Sequence, residues 1–462
     1  MKLERKTGVL IMAAGKGTRM KSAKPKVMQN LLDKKIIDCV INSVSKSKIV
    51  NQENIAVLVG SGGDLVSEYL SENYKVKILW QTEQLGTGHA VKSAQEWWQD
   101  FDDLIVLNGD LPLIKPESIF DFYNSAKNND CTVITFIAEN PSAYGRILRT
   151  NGKVSIKEFK DASDSEKEIH EVNGGCYAFK TEALKKIINL ITNNNSKKEY
   201  YLTDALDLMN QNGFVTGAFI MPEEEMKGVN NQLELSEASQ ILKNRILYHW
   251  LDRGVHIMDL ASVFISPDSE IESDVTIMPN VQIWGKSKIS TGAFIGSGSI
   301  LKNALIGKNV NLVAYAFIEN SELKENSKAG PFVYIRDGAC LEKNSFAGKF
   351  VEIKNSKIGE NSKVPHLSYM GDATLGHDVN IGAGSITCNY DGVHKNKTVI
   401  GDNCFVGSNT MFVAPAEVGN NSTTAAGSVI TQKVPDDNLA VARARQKNID
   451  GWSKHKQIFQ NK

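Results

Sequence analysis

From Ile265 onward an aliphatic residue returns at every sixth position: Ile265, Ile271, Ile277, Ile283, Ile289, Ile295 and Leu301. A helix requires a period near 3.6 and a half-buried strand a period of about 2, so six fits neither alone. It fits a coil whose short flat faces each turn one aliphatic side chain inward. Stacked coils then bury a continuous column. The register slips by one residue at Ile306 and continues through Leu312 and Ile318. It slips again at Leu323 (then Ala329, Ile335, Leu341, Ala347, Ile353), at Ile358 (Val364, Met370) and at Leu375 (Ile381). Ile400, Val406, Phe412, Val418, Thr424 and Ile430 close the series. A β-sandwich with a chance repeat is the competing reading, and seven consecutive positions followed by further runs count against it. The period breaks between Thr387 and Ile400, where Cys388 to Lys397 predicts an inserted loop projecting from the coil. Such loops often carry function.

The first half follows a different pattern. Strands are expected at Gly8–Ala14, Asn54–Val59, Val76–Trp80, Asp103–Leu107 and Cys131–Ala138, with helices at Ile36–Ser45, Ala90–Trp98 and Pro116–Asn128. This alternation predicts an α/β domain with a mainly parallel sheet, covered on both faces and binding ligands beyond the carboxyl ends of its strands. Leu233, Ala238, Ile241, Leu242, Ile246 and Trp250 recur at helical spacing across Asn231–Gly254. Three segments result: 1–230, a helical linker at 231–254, and 255–462 with a polar tail beyond Pro435.

The bulk composition narrows the function classes. Lys+Arg and Asp+Glu are equal at 53 each among 462 residues, which argues against a nucleic-acid binder working through bulk charge. The six cysteines form no C-x-x-C pair, so free thiols in a reducing compartment are expected and a zinc site is not. Val9–Ala14 is too short for a signal-peptide core, and no run approaches a membrane span. A cytoplasmic protein without membrane attachment is the expectation.

Three segments of the first half suggest chemistry. Ala13-Ala14-Gly15-Lys16-Gly17-Thr18-Arg19-Met20 follows the first strand, and its glycines allow close backbone approach to phosphate oxygens. It is neither a dinucleotide fingerprint nor a Walker loop. Arg19 and Lys26 add cations suited to a triphosphate, although a purely structural turn is the alternative. Gln81 to His89 is a second glycine-rich loop entering a helix. Asn108-Gly109-Asp110 places a carboxylate at a strand end, where it is either a turn cap or one hard ligand for Mg²⁺ beside phosphate oxygens. In the second half, Val364-Pro365-His366-Leu367-Ser368-Tyr369 offers a histidine on the coil surface, by itself no more than a solvated side chain.

Together, A-A-G-K-G-T-R-M, P-K, Q-L-G-T-G-H-A and G-D resemble the sugar-phosphate nucleotidyltransferases. With the repeats, the whole chain resembles the bifunctional N-acetylglucosamine-1-phosphate uridylyltransferase and glucosamine-1-phosphate acetyltransferase family. The resemblance implies a Rossmann-like nucleotidyltransferase domain followed by a left-handed parallel β-helix. It implies that Met12, Ala13, Ala14 and Gly15 bind the nucleotide through the backbone, with Asn108 and Gly109 also at the substrate. Lys26 would contact phosphate with Arg19 nearby, while Gln81, Gly86 and Thr87 would read uracil. Asp110 and Asn230 would hold Mg²⁺, and Gly145, Glu158 and Asn173 would hold N-acetylglucosamine.

In the β-helix the H-L-[ST]-Y pattern implies His366 as general base, oriented by Glu352. Arg336, Lys354 and Tyr369 would hold the sugar phosphate. Asn380, Ala383, Asn389, Tyr390, Ser408, Ala426 and Arg443 would line the sugar and acetyl-CoA sites. UTP and acetyl-CoA are the implied co-substrates, and the implied assembly is a homotrimer whose β-helices share the acetyltransfer sites. Three positions depart from the family pattern: Asp337 where proline is common, Asn108, and Gly174 where threonine is usual. The Asp337 carboxylate is expected to soften phosphate binding by Arg336. A single-activity nucleotidyltransferase whose β-helix only oligomerises, the plan of glucose-1-phosphate adenylyltransferases, is the rival. A non-catalytic regulatory subunit is the third. His366, Tyr369 and the Asn389–Tyr390 loop stand against the first, and Lys26 with Asp110 against the second.

Overall fold

The computed structural model describes residues 5–15, 17–60, 62–141, 144–150, 152–195 and 198–455. Lys16, in the first glycine loop, lies outside them. The chain divides into two units, Met1–Leu242 and Lys243–Lys462.

The first unit is built on a nine-stranded sheet. Strands β1 (Thr7–Ala13), β2 (Ile55–Val59), β3 (Lys77–Trp80) and β4 (Asp103–Asn108) run parallel, with β1 between β2 and β4. The chain moves outward from β1 to β3 and returns on the other side at β4. That reversal opens a crevice at the carboxyl ends of β1 and β4, the usual ligand position in such sheets. The expected parallel alternation ends there. A ten-residue strand, Glu171–Lys180, runs antiparallel to both β4 and Cys131–Ile137, and Arg146–Thr150 with Lys153–Lys157 forms a hairpin at its end.

Strand alternation sends Val9 and Ile11 to one core and Leu10 to the other. Helices Ile36–Lys46, Asp64–Asn73 and Pro116–Ala126 cover the first core through Val40, Ile41, Leu70 and Phe122. The other core receives Val91 and Trp98 from two short helices, Thr87–Ser93 and Gln95–Trp98, which replace the single helix expected at 90–98.

The second unit is a parallel β-helix whose two- to four-residue strands stack into three sheets. Every residue of the six-residue series is buried, including Thr424. On the first face the column runs Ile277, Ile295, Leu312, Ala329, Ala347, Val364, Ile381, Val406, Thr424. The second face stacks Ile265, Ile283, Leu301, Ile318, Ile335, Ile353, Met370, Thr387, Phe412 and Ile430, and the third stacks the rest. Thr387 therefore continues the second column, and the period breaks after it.

The four register slips share one place in the coil. Each falls at the corner from the second face to the third. Asn303, Asn320, Asn355 and Asp372 occupy those corners with φ between 46° and 49°. Asn and Asp tolerate this left-handed conformation best after glycine, and left-handed residues also turn the corners of this face that keep six-residue spacing, at Gly285 and Asp337. Coils measure 18 residues where Ile283 pairs with Leu301, and 17 where Leu301 pairs with Ile318. Asn303 donates to Asn320 Oδ1 at 3.2 Å and Asn355 to Asp372 Oδ1 at 2.6 Å, so the corner residues also tie successive coils together.

Helix Gln232–Leu251 spans the boundary between the units. Leu235 and Ala238 pack in the first unit, whereas Leu247 and Trp250 belong to the apolar column of the second. The compact division thus falls inside the segment expected as a linker at 231–254.

Candidate active sites

The crevice at β1 and β4 holds a cavity of about 580 Å³. Its lining includes Met12, Ala13, Ala14, Gly15, Lys26, Gln81, Gly86, Thr87, Asn108 and Asp110, ten of the residues singled out from sequence. Gly109 donates its amide to Met12 O at 2.9 Å, which joins the two strand ends. Lys26 Nζ binds both Asp110 Oδ2 and Asn230 Oδ1, the latter at 3.1 Å, and Arg19 reaches the same Asn230 oxygen at 2.9 Å. Two hard oxygens thus converge on a point already held by a cation. Asn230 is oriented from behind, since its Nδ2 donates to Glu234 Oε2 at 3.1 Å and leaves Oδ1 facing Lys26.

The sugar-binding candidates also meet. Asn173 donates its backbone amide to Gly145 O at 2.9 Å, and its Oδ1 accepts from Gly175 N at 2.8 Å. A Cβ on Gly145 would lie 3.7 Å from Glu158 Oε1. Neighbouring Arg146 is fully buried and donates to the Pro141, Tyr144 and Lys167 carbonyls, so it organises this loop.

The sequence reading missed Gln84, Glu199 and Tyr201, which also line the cavity. Gln84 stands inside the quoted glycine loop, where its donation to Ala14 O links the two loops. Glu199 and Tyr201 come from an irregular segment with no periodic signal, brought close because Gly88 N donates to Tyr200 O at 2.7 Å.

On the β-helix the candidates occupy neighbouring columns. His366, Ala383, Ser408 and Ala426 each stand two residues after an inward residue of the first face: Val364, Ile381, Val406 and Thr424. They stack at one corner, with Arg443 packed near Gly427. Asn380 lies on the outer side of that face, beside inward Ile381. His366 is exposed, and the Ser368 hydroxyl donates to its carbonyl at 2.7 Å.

Arg336 and Lys354 are register partners at the far end of the second face, and Glu352 pairs with Tyr369 at its start. Arg336 is held by two carboxylates, Glu352 at 2.8 Å and Asp337 at 2.7 Å. Both raise its pKa, Glu352 most. Asp337 thus pairs directly with Arg336, and both Arg336 bonds to Glu352 fall on its Oε1. Asp337 has φ 56°, a value closed to the proline common at this position.

The inserted loop rises from the tight corner. Asn389, buried, donates to Asp372 Oδ2 at 2.5 Å and accepts from Asn396 N at 2.7 Å, so it anchors the loop base. Asp391 accepts from the His394 and Val393 amides and from Asn396, which hold its carboxyl below the ordinary range. Tyr390 is exposed, with its hydroxyl on Gly392 O at 2.6 Å. The loop also delivers Lys395, absent from the sequence reading, to Lys354, and this neighbouring ammonium lowers the Lys354 pKa. Arg336, Lys354 and Lys395 form a cationic end to the second face.

The nucleotidyl transferase family model matches residues 8–262, and the bacterial transferase hexapeptide model (six repeats) matches residues 397–432. The chain is 43% identical over 447 residues to the bifunctional protein GlmU of Clostridium beijerinckii, covering 96% of this chain and 97% of that protein. To the same-named protein of Thermodesulfovibrio yellowstonii it is 42% identical over 454 residues, covering 97% and 99%. To that of Clostridioides difficile it is 42% identical over 453 residues, covering 97% of each. A two-part architecture with a phosphate-suited crevice in one part and a histidine-bearing β-helix in the other, matched along nearly its whole length, makes this chain a member of the bifunctional GlmU family.

Proposed function

We propose that the chain makes UDP-N-acetylglucosamine in two steps at two separate sites. The β-helix acetylates glucosamine-1-phosphate with acetyl-CoA. The N-terminal unit then transfers UMP from UTP to the product and releases pyrophosphate. The observation that carries the second step is the convergence of Lys26, Asp110 and Asn230 in the crevice between β1 and β4.

In that step the sugar phosphate attacks the α-phosphate in line, and the protein's task is positioning and charge stabilisation. Lys26 faces the phosphates and Arg19 adds a second cation. Asp110 and Asn230 supply the oxygens for Mg²⁺. A carboxylate and an amide oxygen sharing one cation fit such an ion, which typically takes one or two protein ligands and completes its shell with water and phosphate. The metal, when bound, neutralises charge developing on the phosphates. Gly145, Glu158 and Asn173 hold the sugar.

In the acetylation step His366 removes a proton from the amine, and the cations at the end of the second face hold the sugar phosphate. Exposure of His366 in one chain supports a site completed by a neighbouring β-helix, as in a homotrimer. No helix among the described residues is long and apolar enough to cross a membrane, which is compatible with a cytoplasmic enzyme. The test is to supply UTP, acetyl-CoA, glucosamine-1-phosphate and Mg²⁺ and measure UDP-N-acetylglucosamine. Product that forms only from pre-acetylated sugar phosphate would restore the single-activity rival.

A further inference from the structure

Gln81 is 3% exposed and lines the crevice cavity. Its Nε2 has two neighbours, Gly86 O at 3.4 Å and His89 Nδ1 at 3.1 Å. A backbone carbonyl can only accept, so the amide nitrogen must be the atom facing Gly86. With Nε2 so placed, His89 must accept at Nδ1, and its proton resides on Nε2. Both amide hydrogens are then committed. Oε1 has no hydrogen-bond partner in the protein among the described residues, which leaves it as the polar atom for a ligand in the cavity.

We infer that His89 is a positioning residue that sets pyrimidine specificity by fixing the polarity of the Gln81 amide. The inference rests on the uridylyl reading of the cavity. Uracil presents N3–H, a donor, whereas cytosine presents a bare N3, an acceptor. An amide locked with its oxygen toward the base accepts from uracil and opposes cytosine lone pair to lone pair. An unlocked amide can turn over and serve either base. His89 itself is not among the residues lining the cavity, so it acts through Gln81. A site built to hydrogen-bond a substrate group rejects an analogue lacking that group by leaving its own buried atom unpaired.

The experiment measures kcat/KM for UTP and CTP with N-acetylglucosamine-1-phosphate in the full-length enzyme, with acetyl transfer as a check on folding. His89→Ala is expected to lower the UTP-to-CTP ratio by about tenfold or more. His89→Asn, whose Oδ1 accepts where Nδ1 did, is expected to restore most of it. A ratio unchanged in His89→Ala, including equal loss on both nucleotides, overturns the inference. Gln81→Ala separates the levels. If it collapses the ratio while His89→Ala does not, the relay alone fails; if it too leaves the ratio unchanged, the uracil assignment fails with it. Nitrogen NMR of the unsubstituted protein gives a reading independent of any variant: a proton on His89 Nε2 is expected, and one on Nδ1 overturns the relay.

Discussion

Replacing Gly86 with alanine should disable nucleotide transfer while leaving acetyl transfer intact. Gly86 has φ 110°, in a region essentially open to glycine alone, where another residue costs about 1–3 kcal/mol. An added Cβ would lie 2.6 Å from the Tyr200 carbonyl oxygen and 2.9 Å from the Tyr200 nitrogen. Tyr200 cannot simply withdraw, because its carbonyl accepts from Gly88 N at 2.7 Å and its amide donates to Leu85 O at 2.8 Å. Relieving the clash breaks those two bonds, each worth about 1 kcal/mol net. Holding the loop in its nucleotide-ready form would then cost about 3–5 kcal/mol. The loop is a surface segment, so it gives way before the sheet does, and the cost falls on substrate binding. At 1.4 kcal/mol per decade, even about 3 kcal/mol is a hundredfold loss. Steady-state kcat/KM for UTP measures it, with acetyl transfer by the same preparation as the control. A change below about threefold in uridylyl transfer would refute the account of this loop, as would parallel loss of both activities in a folded protein.

Lys26→Ala should lower uridylyl-transfer kcat by about 10²–10³ by removing a cation from the developing phosphate charge, and a loss under about fivefold would contradict that role. Ile335→Ala, in the fully buried second column between Ile318 and Ile353, should cost about 2–5 kcal/mol. Calorimetry of the full chain would show it as a lowered β-helix transition, and an unmoved transition would contradict the packing account. His377 has Nδ1 2.9 Å from Asp378 and Nε2 3.2 Å from Asp402, contacts that raise its pKa above the ordinary 6.5. Its stabilising effect should be fully present below about pH 6.5 and fade as pH rises through the folded-state value. NMR titration of His377, and convergence of wild-type and His377→Asn stabilities at high pH, check the sign.

The β-helix was legible because each coil repeats one local rule, a single inward aliphatic residue per face, and burial of the whole series follows from it. The slips were visible in sequence, but their shared corner was not. It emerges only when coils are stacked and Asn303, Asn320, Asn355 and Asp372 align. In the first unit the crevice residues from β1, β4 and the glycine loops were legible because each follows a strand directly. The antiparallel strand Glu171–Lys180 was not, since pairing direction depends on distant partners rather than local period. Glu199, Tyr201 and Lys395 reach their sites through loop contacts that carry no periodic signal. The contact of Glu352 Oε1 with Arg336, one coil away, was likewise not legible, since it depends on which residues the stacked coils bring into register.

The central claim is that one chain carries two independent active sites, and Asp110→Ala and His366→Ala measured side by side test it most directly. The account predicts that Asp110→Ala loses uridylyl transfer and keeps acetyl transfer, and that His366→Ala does the reverse. Loss of both activities in either variant, with folding and assembly unchanged, would contradict it.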